Sequence, residues 1–326
     1  MNPSRSERAG TFVLRTVVIV IAVSFFLRAL SEVSPRGLGL FHDPISVALG
    51  IAFPLFTAHY FHFRRQLPYG KMLAVIALPV GLLYTGVGLL GMATYLDDYK
   101  EIGPASAILL LTAFYGGVLS AVGYLWNDGE FLPGDNHISL GELWLFQAMF
   151  LVVTLWAIEN SAGLGVLLDL RVPALFLSLF ITAIFLAKDR DTPIATTIAD
   201  AALAGVLLSL VISLIAWFGS AENLDRRAIT FGSLGMAFGT YAYISAFILS
   251  LYTGGASSID FANKNWHLVE ANTFFVFLLF VPQNVGEVLR GADDASERQV
   301  LEQKVEVLTQ RLEALESLSL PDNIKK

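Results

Sequence analysis

The chain of 326 residues contains no cysteine, which excludes disulfide bonds, thiolate metal sites and cysteine-based catalysis. Charged residues make up only 15% of the chain, and no cluster of them resembles a nucleic-acid-binding patch. The sequence also lacks a phosphate-binding loop, a nucleophile elbow, a zinc motif and a cleavable signal peptide. We therefore expect no enzyme, no cofactor and no nucleic-acid partner.

Long apolar runs are what the sequence has instead. Hydrophobic residues make up 55% of the chain, against roughly 45–50% in ordinary soluble proteins. A bilayer core needs on the order of 20 apolar residues in a helix. The pattern predicts an all-α, polytopic transmembrane helix bundle in a lipid bilayer, with a short C-terminal coiled-coil helix. The nine predicted spans are 12–31, 44–63, 72–96, 104–126, 140–159, 163–187, 194–219, 229–252 and 267–289.

The longest gap inside the bundle is rich in turn-forming residues and divides it into two groups of four spans. A shift of 124 residues places Gly81 on Gly205 and Leu83 on Leu207. This indicates an internal duplication, as in many transporters, although apolar sequences also match by chance. The predicted parts are a four-span unit at 1–126, a loop at 127–139, a four-span unit at 140–252, a final transmembrane helix at 253–290, a coiled-coil helix at 296–318 and a tail at 319–326.

The last part of the chain has a heptad-like pattern. Ser296 and Gln299 form a capping-box pattern at its start. One hypothesis is a self-association helix that makes a homo-oligomer. The other is a solvated amphipathic helix that lies on its own protein or on lipid. The apolar positions, spaced four and three apart, are Leu301, Val305, Leu308, Leu312 and Leu315.

Lys and Arg in the short loops show a slight excess on the side of the N-terminus, which favours a cytoplasmic N-terminus. With nine spans, the coiled coil then lies outside the cytoplasm. We expect an integral protein of a bacterial inner membrane.

Polar groups inside a span are costly in hydrocarbon, so they are candidates for function. Asp200 stands among small residues that favour close helix contact or a water-lined surface. Glu270 precedes an aromatic-rich run and can take and release a proton; the alternative is an acid placed at a helix start by the dipole. The remaining charges lie mostly near predicted span ends, where snorkelling or helix-end placement explains them. They include Arg15, Arg28, Glu142 and Glu159.

Two histidines lie three residues apart on one helix face, at His59 and His62. They are weak candidates for metal ligands, because no carboxylate or third histidine is near them in sequence. Histidines at a membrane interface among Tyr60, Phe61 and Phe63 are the commoner case. We therefore predict no metal site.

The most specific string occupies spans three and four. It carries Pro79, Gly81 and Thr85, then Leu-Asp-Asp at 96–98, Ile-Gly-Pro at 102–104 and Leu-Thr-Ala-Phe-Tyr-Gly at 111–116. Such small residues are spaced for a closely packed helical hairpin with hydroxyls facing its interior.

This string, at about 77–125, resembles the last two spans of the MotA/PomA flagellar stator family. In that family the two spans line a proton or sodium path beside a carboxylate on a partner subunit. The resemblance implies that Pro79, Thr85 and Thr112 line a path, and that Glu270 loosely matches the partner's carboxylate. The chain departs from the family in two ways. The short segment 63–70 stands where the family has a large cytoplasmic domain. Tyr99 replaces the loop proline of the family's motif, and Ala113 replaces its second threonine.

Together these patterns predict an oligomeric membrane protein that passes a small cation, a proton or a sodium ion, through a helix bundle. Asp200 and Glu270 would be relay or binding groups. The resemblance also allows for a membrane partner subunit. The competing hypothesis is a non-conducting scaffold or sensor that assembles partners through its coiled coil.

Overall fold

A computed structural model describes six continuous stretches of the chain and seven isolated positions between 14 and 28. The chain divides into two units, Met1–Asn272 and Thr273–Lys326, and the described residues all lie in the first. For 99–109 and 217–219 only the backbone is described. The continuous stretches are 43–93, 99–126, 138–188, 192–219, 226–254 and 261–271.

All regular secondary structure in these stretches is helical. Long apolar sequences form these helices because only a helix satisfies every backbone group within one segment in a bilayer. The helices are α1 (Pro44–Arg65), α2 (Tyr69–Met92), α3 (Tyr99–Trp126), α4 (Leu140–Ala162), α5 (Arg171–Lys188), α6 (Ile194–Gly219), α7 (Arg226–Thr253) and α8 (261–271).

Six of these helices, all except α3 and α8, are long and apolar enough to cross a membrane. The part of α3 whose side chains are described, Leu110–Trp126, is a shorter apolar helix. The described stretches are thus all-helical, and the chain is an integral membrane protein, as predicted. The count of nine spans stays a prediction, because most of 12–31 and most of 267–289 lie outside the described residues. So do the coiled-coil positions Leu301, Val305, Leu308, Leu312 and Leu315.

One predicted boundary is wrong. The span placed at 163–187 begins only at Arg171. Gly163 ends α4 with a positive φ of 77°, and Leu164–Leu168 form a short 3-10 helix before α5. Polar residues interrupt the apolar sequence on both sides of this break, at 159–161 and at Asp169 and Arg171, but Leu164–Leu168 are as apolar as a helix, so hydropathy alone does not place the break.

Helix α2 is the centre of the described bundle. In its most apolar window 89% of the residues are buried, against 11% in α5. It packs against α3 on one side and α7 on the other, and also contacts α1 and α4. Helix α7 in turn packs on α6, and α5 packs on α6. The predicted site residues Pro79 and Thr85 therefore lie in the most enclosed helix.

Candidate functional site

The hairpin of α2 and α3 is closed by direct backbone contact. A Cβ added to Gly81 would lie 2.5 Å from the carbonyl oxygen of Thr112, and one added to Gly116 would lie 2.5 Å from that of Ala77. Gly123 meets the carbonyl of Gly70 at the same distance. These pairs run in opposite order along the two helices, so the hairpin is antiparallel. No ion fits between backbones this close.

Thr85 and Thr112 meet across this hairpin. Their Oγ1 atoms lie 3.1 Å apart, and either hydroxyl can be the donor. Thr85 also lies 2.9 Å from the carbonyl oxygen of Gly81 and can donate to it. Both side chains are buried, at 0% and 4% exposure. The structure therefore brings two of the predicted path residues into contact.

Pro79 lies in the middle of α2 and is buried. A proline has no amide hydrogen, so the carbonyl four residues earlier, that of Val75, loses its usual donor. Asn265 of α8 supplies one instead: its Nδ2 donates to the oxygen of Val75 at 3.0 Å. Asn265 is 2% exposed, and its Oδ1 lies 2.8 Å from the hydroxyl of Tyr243 on α7. Helix α8 is thereby attached to α2 at the proline break.

Asp200 is paired with a lysine. Its carboxylate lies 2.5 Å from Nζ of Lys264, the neighbour of Asn265 on α8. The side chain of Asp200 is 58% exposed on the described surface, whereas that of Lys264 is 20% exposed. The ion pair therefore joins the first turns of α6 to α8.

Glu270 lies near the end of the described part of α8. Its carboxylate is 3.4 Å from Nδ1 of His267, one turn earlier, and both side chains are largely exposed. Neither Glu270 nor Asp200 has Thr85 or Thr112 among its hydrogen-bond or ion-pair partners in the described residues. The predicted carboxylates and the threonine pair are thus separate features of the described structure.

The two histidines of α1 contact aromatic rings. His59 packs on Phe63 with ring centroids 4.3 Å apart. His62 Nδ1 lies 2.8 Å from the carbonyl oxygen of Leu67. In the described stretches, no group of three His, Asp or Glu side chains could hold a metal ion.

An ion pair that the sequence did not indicate joins α1 to α4. Glu142 forms a capping box with Ser139, and Arg65 binds both of its carboxylate oxygens, through Nε at 3.0 Å and through Nη2. Tyr60 adds a hydrogen bond of 3.2 Å. The capping box of Ser139 and Glu142 is a local sequence motif. The ion pair is not, because Arg65 lies 77 residues from Glu142 in the chain.

Asn265 was also missed. A signal for it exists in the sequence, since a proline inside an apolar helix leaves a carbonyl that needs a donor. Nothing in the sequence identifies which of the many polar side chains supplies it, because Asn265 and Val75 are 190 residues apart.

Comparison with known proteins supports the resemblance of the hairpin string. A curated protein of Vibrio alginolyticus, "Chemotaxis protein PomA", is 49% identical to the chain over 45 residues. This match covers 14% of the chain and 18% of that protein, so the chain spans less than a fifth of the length of its curated relative. No family model matches the chain, and no solved structure matches it. The chain therefore contains a PomA-like segment inside an otherwise unmatched helical membrane protein.

Proposed function

We propose that this membrane protein passes a small cation, a proton or a sodium ion, along the hairpin of α2 and α3. The PomA-like segment carries the proposal, because it supplies a sequence likeness independent of hydropathy. In the described structure, the paired hydroxyls of Thr85 and Thr112 give the hairpin a polar point inside an apolar bundle.

The hairpin serves as one wall of the path. Its helices are in backbone contact at Gly81 and Gly116, so the ion travels beside the hairpin and not between its helices. Another element must complete the path, and we propose that an oligomer of this chain or a membrane partner subunit provides it. The coiled-coil positions predicted around Leu308 would hold such an oligomer together.

The relay groups in this proposal are Asp200 and Glu270. Lys264 neutralises Asp200 in the described conformation. A relay through Asp200 therefore requires this ion pair to open or to exchange its proton. Glu270 has a neighbour, His267, that can also carry a proton.

A non-conducting scaffold or sensor is the second candidate function. It is favoured by the positions of the two carboxylates, which are exposed and paired on the described surface. A scaffold needs no carboxylate that faces a hydrated interior. In this case Asp200 and Lys264 only fasten α6 to α8.

Ion flux into liposomes separates the two candidates. We expect the purified protein to carry protons or sodium ions under an imposed gradient, and Thr85→Val, Asp200→Asn and Glu270→Gln to reduce the flux. Thr57→Val is the matched control, because Thr57 is fully buried and bonds only to the carbonyl of Phe53 in its own helix. Flux equal to that of empty liposomes, from correctly folded wild-type protein, would exclude a path completed by an oligomer of this chain alone and would leave the scaffold or a missing partner subunit.

A further inference from the structure

The outward face of α8 is polar, whereas that of the neighbouring helix α6 is apolar. Beyond Asp200, the exposed large side chains described in α6 are leucine, valine and isoleucine, as contact with lipid requires. Three of the four exposed residues of α8 are instead polar. These four are Asn263, Trp266, His267 and Glu270.

The contacts between α8 and α7 fix the direction of α8. Phe261 packs on Phe247 of α7 with ring centroids 5.2 Å apart. One turn further along α8, Asn265 bonds to Tyr243, which lies one turn earlier in α7. Helix α8 therefore runs antiparallel to α7, and it runs in the same direction as α6, the antiparallel neighbour of α7.

Contacts with α2 and α6 then fix the depth of Glu270. Asn265 bonds to Val75, six residues after the start of α2, and Lys264 pairs with Asp200, six residues after the start of α6. Glu270 lies five residues beyond Asn265, which is about 8 Å further along the helix axis. It is therefore level with about residue 80 of α2 and residue 206 of α6. These positions are the midpoints of Tyr69–Met92 and Ile194–Gly219.

The middle of a spanning helix lies near the middle of the bilayer. Because the hydrocarbon core is about 30 Å thick, Glu270 is about 15 Å from either surface, too far for its side chain to reach the headgroups. Polar and ionisable groups at this depth are costly against acyl chains. The outward face of α8 therefore contacts protein or water.

The two ionisable groups on this face have unused bonding capacity. Within the chain, Nδ1 of His267 lies 3.4 Å from Oε2 of Glu270. The other ring nitrogen of His267 and the other carboxylate oxygen of Glu270 have no partner among the described residues. A partner helix at this face would thus find one donor or acceptor on each side chain.

We propose that this face binds α8 of a second copy of the chain. Its four residues are spaced three, one and three apart, which is the spacing of the seam between two parallel helices. Copies of one membrane protein share their orientation, so two packed α8 helices are parallel and equal residues lie at one level.

The face is also complementary to itself. His267 and Glu270 are one turn apart, about 4.5 Å along the axis, so the free ring nitrogen of His267 can reach the free oxygen of Glu270 on the second copy. Twofold symmetry makes this contact twice. A different subunit would need its own matching polar groups, whereas a second copy supplies them.

This interface rests on the depth and the polar face of α8 and does not depend on ion conduction. It supplies an oligomer contact inside the membrane, in addition to the predicted coiled coil. Cross-linking measures the interface and ion flux measures the path, so either proposal can fail without the other.

Disulfide cross-linking in liposomes tests the interface, and the natural chain is suited to it because it has no cysteine. We expect Trp266→Cys and Asn263→Cys to form several-fold more cross-linked dimer on mild oxidation than Leu207→Cys. Leu207 is the matched control, since it is exposed on α6 near the level of Glu270.

Cross-linking of the α8 cysteines no greater than that of Leu207→Cys would overturn the proposal. Labelling of these uncross-linked cysteines by a membrane-impermeant maleimide would then show that the face lines water, because a thiol reacts as its thiolate.

A charge exchange tests the pairing of His267 with Glu270 between copies. His267→Glu places carboxyl groups at both positions and should lower the association constant about threefold to tenfold. Adding Glu270→His restores the complementary pair and should recover association. Energy transfer between labelled copies, measured as the protein is diluted in lipid, reports the association constant. Unchanged association in His267→Glu, or a loss that the exchange does not recover, would contradict the interface.

Discussion

The α2–α3 and α6–α7 hairpins share one architecture but differ in what meets at their centres. Both are antiparallel and closed by small residues. In the first, Gly81 lies against the backbone of α3, and in the second, Gly235 and Gly239 lie against Ser209 and Val206 of α6. Each is flanked by a preceding helix that touches both of its members, α1 in the first case and α5 in the second.

The polar contacts of the two hairpins differ at related positions. Thr85 of α2 and Ser209 of α6 are 124 residues apart. Thr85 meets a second hydroxyl, on Thr112. Ser209 instead packs on Gly235 and returns its hydrogen bond to Val206 in its own helix. At this level the helices of the first hairpin are joined by a pair of hydroxyls. At the equivalent level of the second hairpin, Ser209 and Gly235 are in van der Waals contact only.

This difference shows that close packing and polar pairing are separable in these hairpins. Close packing needs only small residues at intervals of a helical turn, and both hairpins have them. The hydroxyl pair occurs in the hairpin that carries the PomA-like string. The equal spacing is what an internal duplication produces, and that origin stays a hypothesis.

The largest expected effect comes from adding a methyl group to the first hairpin. In Gly81→Ala the new Cβ meets a backbone oxygen, which cannot move aside, so we expect destabilisation at or above the usual overpacking cost of about 1–3 kcal/mol. In Gly205→Ala the new Cβ meets the ring of Phe176, and a second substitution, Phe176→Leu, should restore stability. Thermal unfolding in detergent measures both.

Gly117→Ala is the control for this experiment, because nothing lies within 4 Å of a Cβ added there. We expect it to unfold at the wild-type temperature or slightly above it, since alanine favours the helix. Wild-type stability in Gly81→Ala would contradict the backbone contact between α2 and α3.

The helices and the hairpin could be predicted from the sequence because both depend on local patterns. Apolar runs of helical length place α2, α6 and α7, and the spacing of Gly81, Thr85 and Gly116 indicates a close hairpin. The break at Gly163 was missed because the residues after it are as apolar as those of a helix.

The contacts that fasten separate helices could not be predicted. Asn265 donates to Val75 across 190 residues, and Arg65 binds Glu142 across 77. Each partner alone has an ordinary explanation, such as a polar residue near a span end. Only the folded bundle shows that Asn265 donates to the carbonyl of Val75, which Pro79 leaves without its usual donor.

A double-mutant cycle tests the proline break that distinguishes the first hairpin from the second, which has Leu203 at the related position. Asn265→Leu should cost about 1–3 kcal/mol, because the carbonyl of Val75 is left buried without a donor. In a Pro79→Ala background the helix supplies its own donor, and the same substitution should cost much less. Unfolding free energies of the four variants give the coupling.

Equal costs in both backgrounds would mean that Asn265 acts only through Tyr243. Tyr243→Phe tests this alternative. It removes the hydrogen bond between Tyr243 and Asn265 but leaves the one that Asn265 donates to the carbonyl of Val75.

The smallest expected effect concerns the hydroxyl pair itself. Thr85→Val and Thr112→Val should each cost about 1 kcal/mol, and the double variant should cost less than their sum, because one hydrogen bond joins the two side chains. Ser209→Ala should cost less than either, since its hydroxyl bonds only within α6. Additive costs for Thr85 and Thr112 would contradict the hydrogen bond between them and would remove the polar difference between the two hairpins at this level.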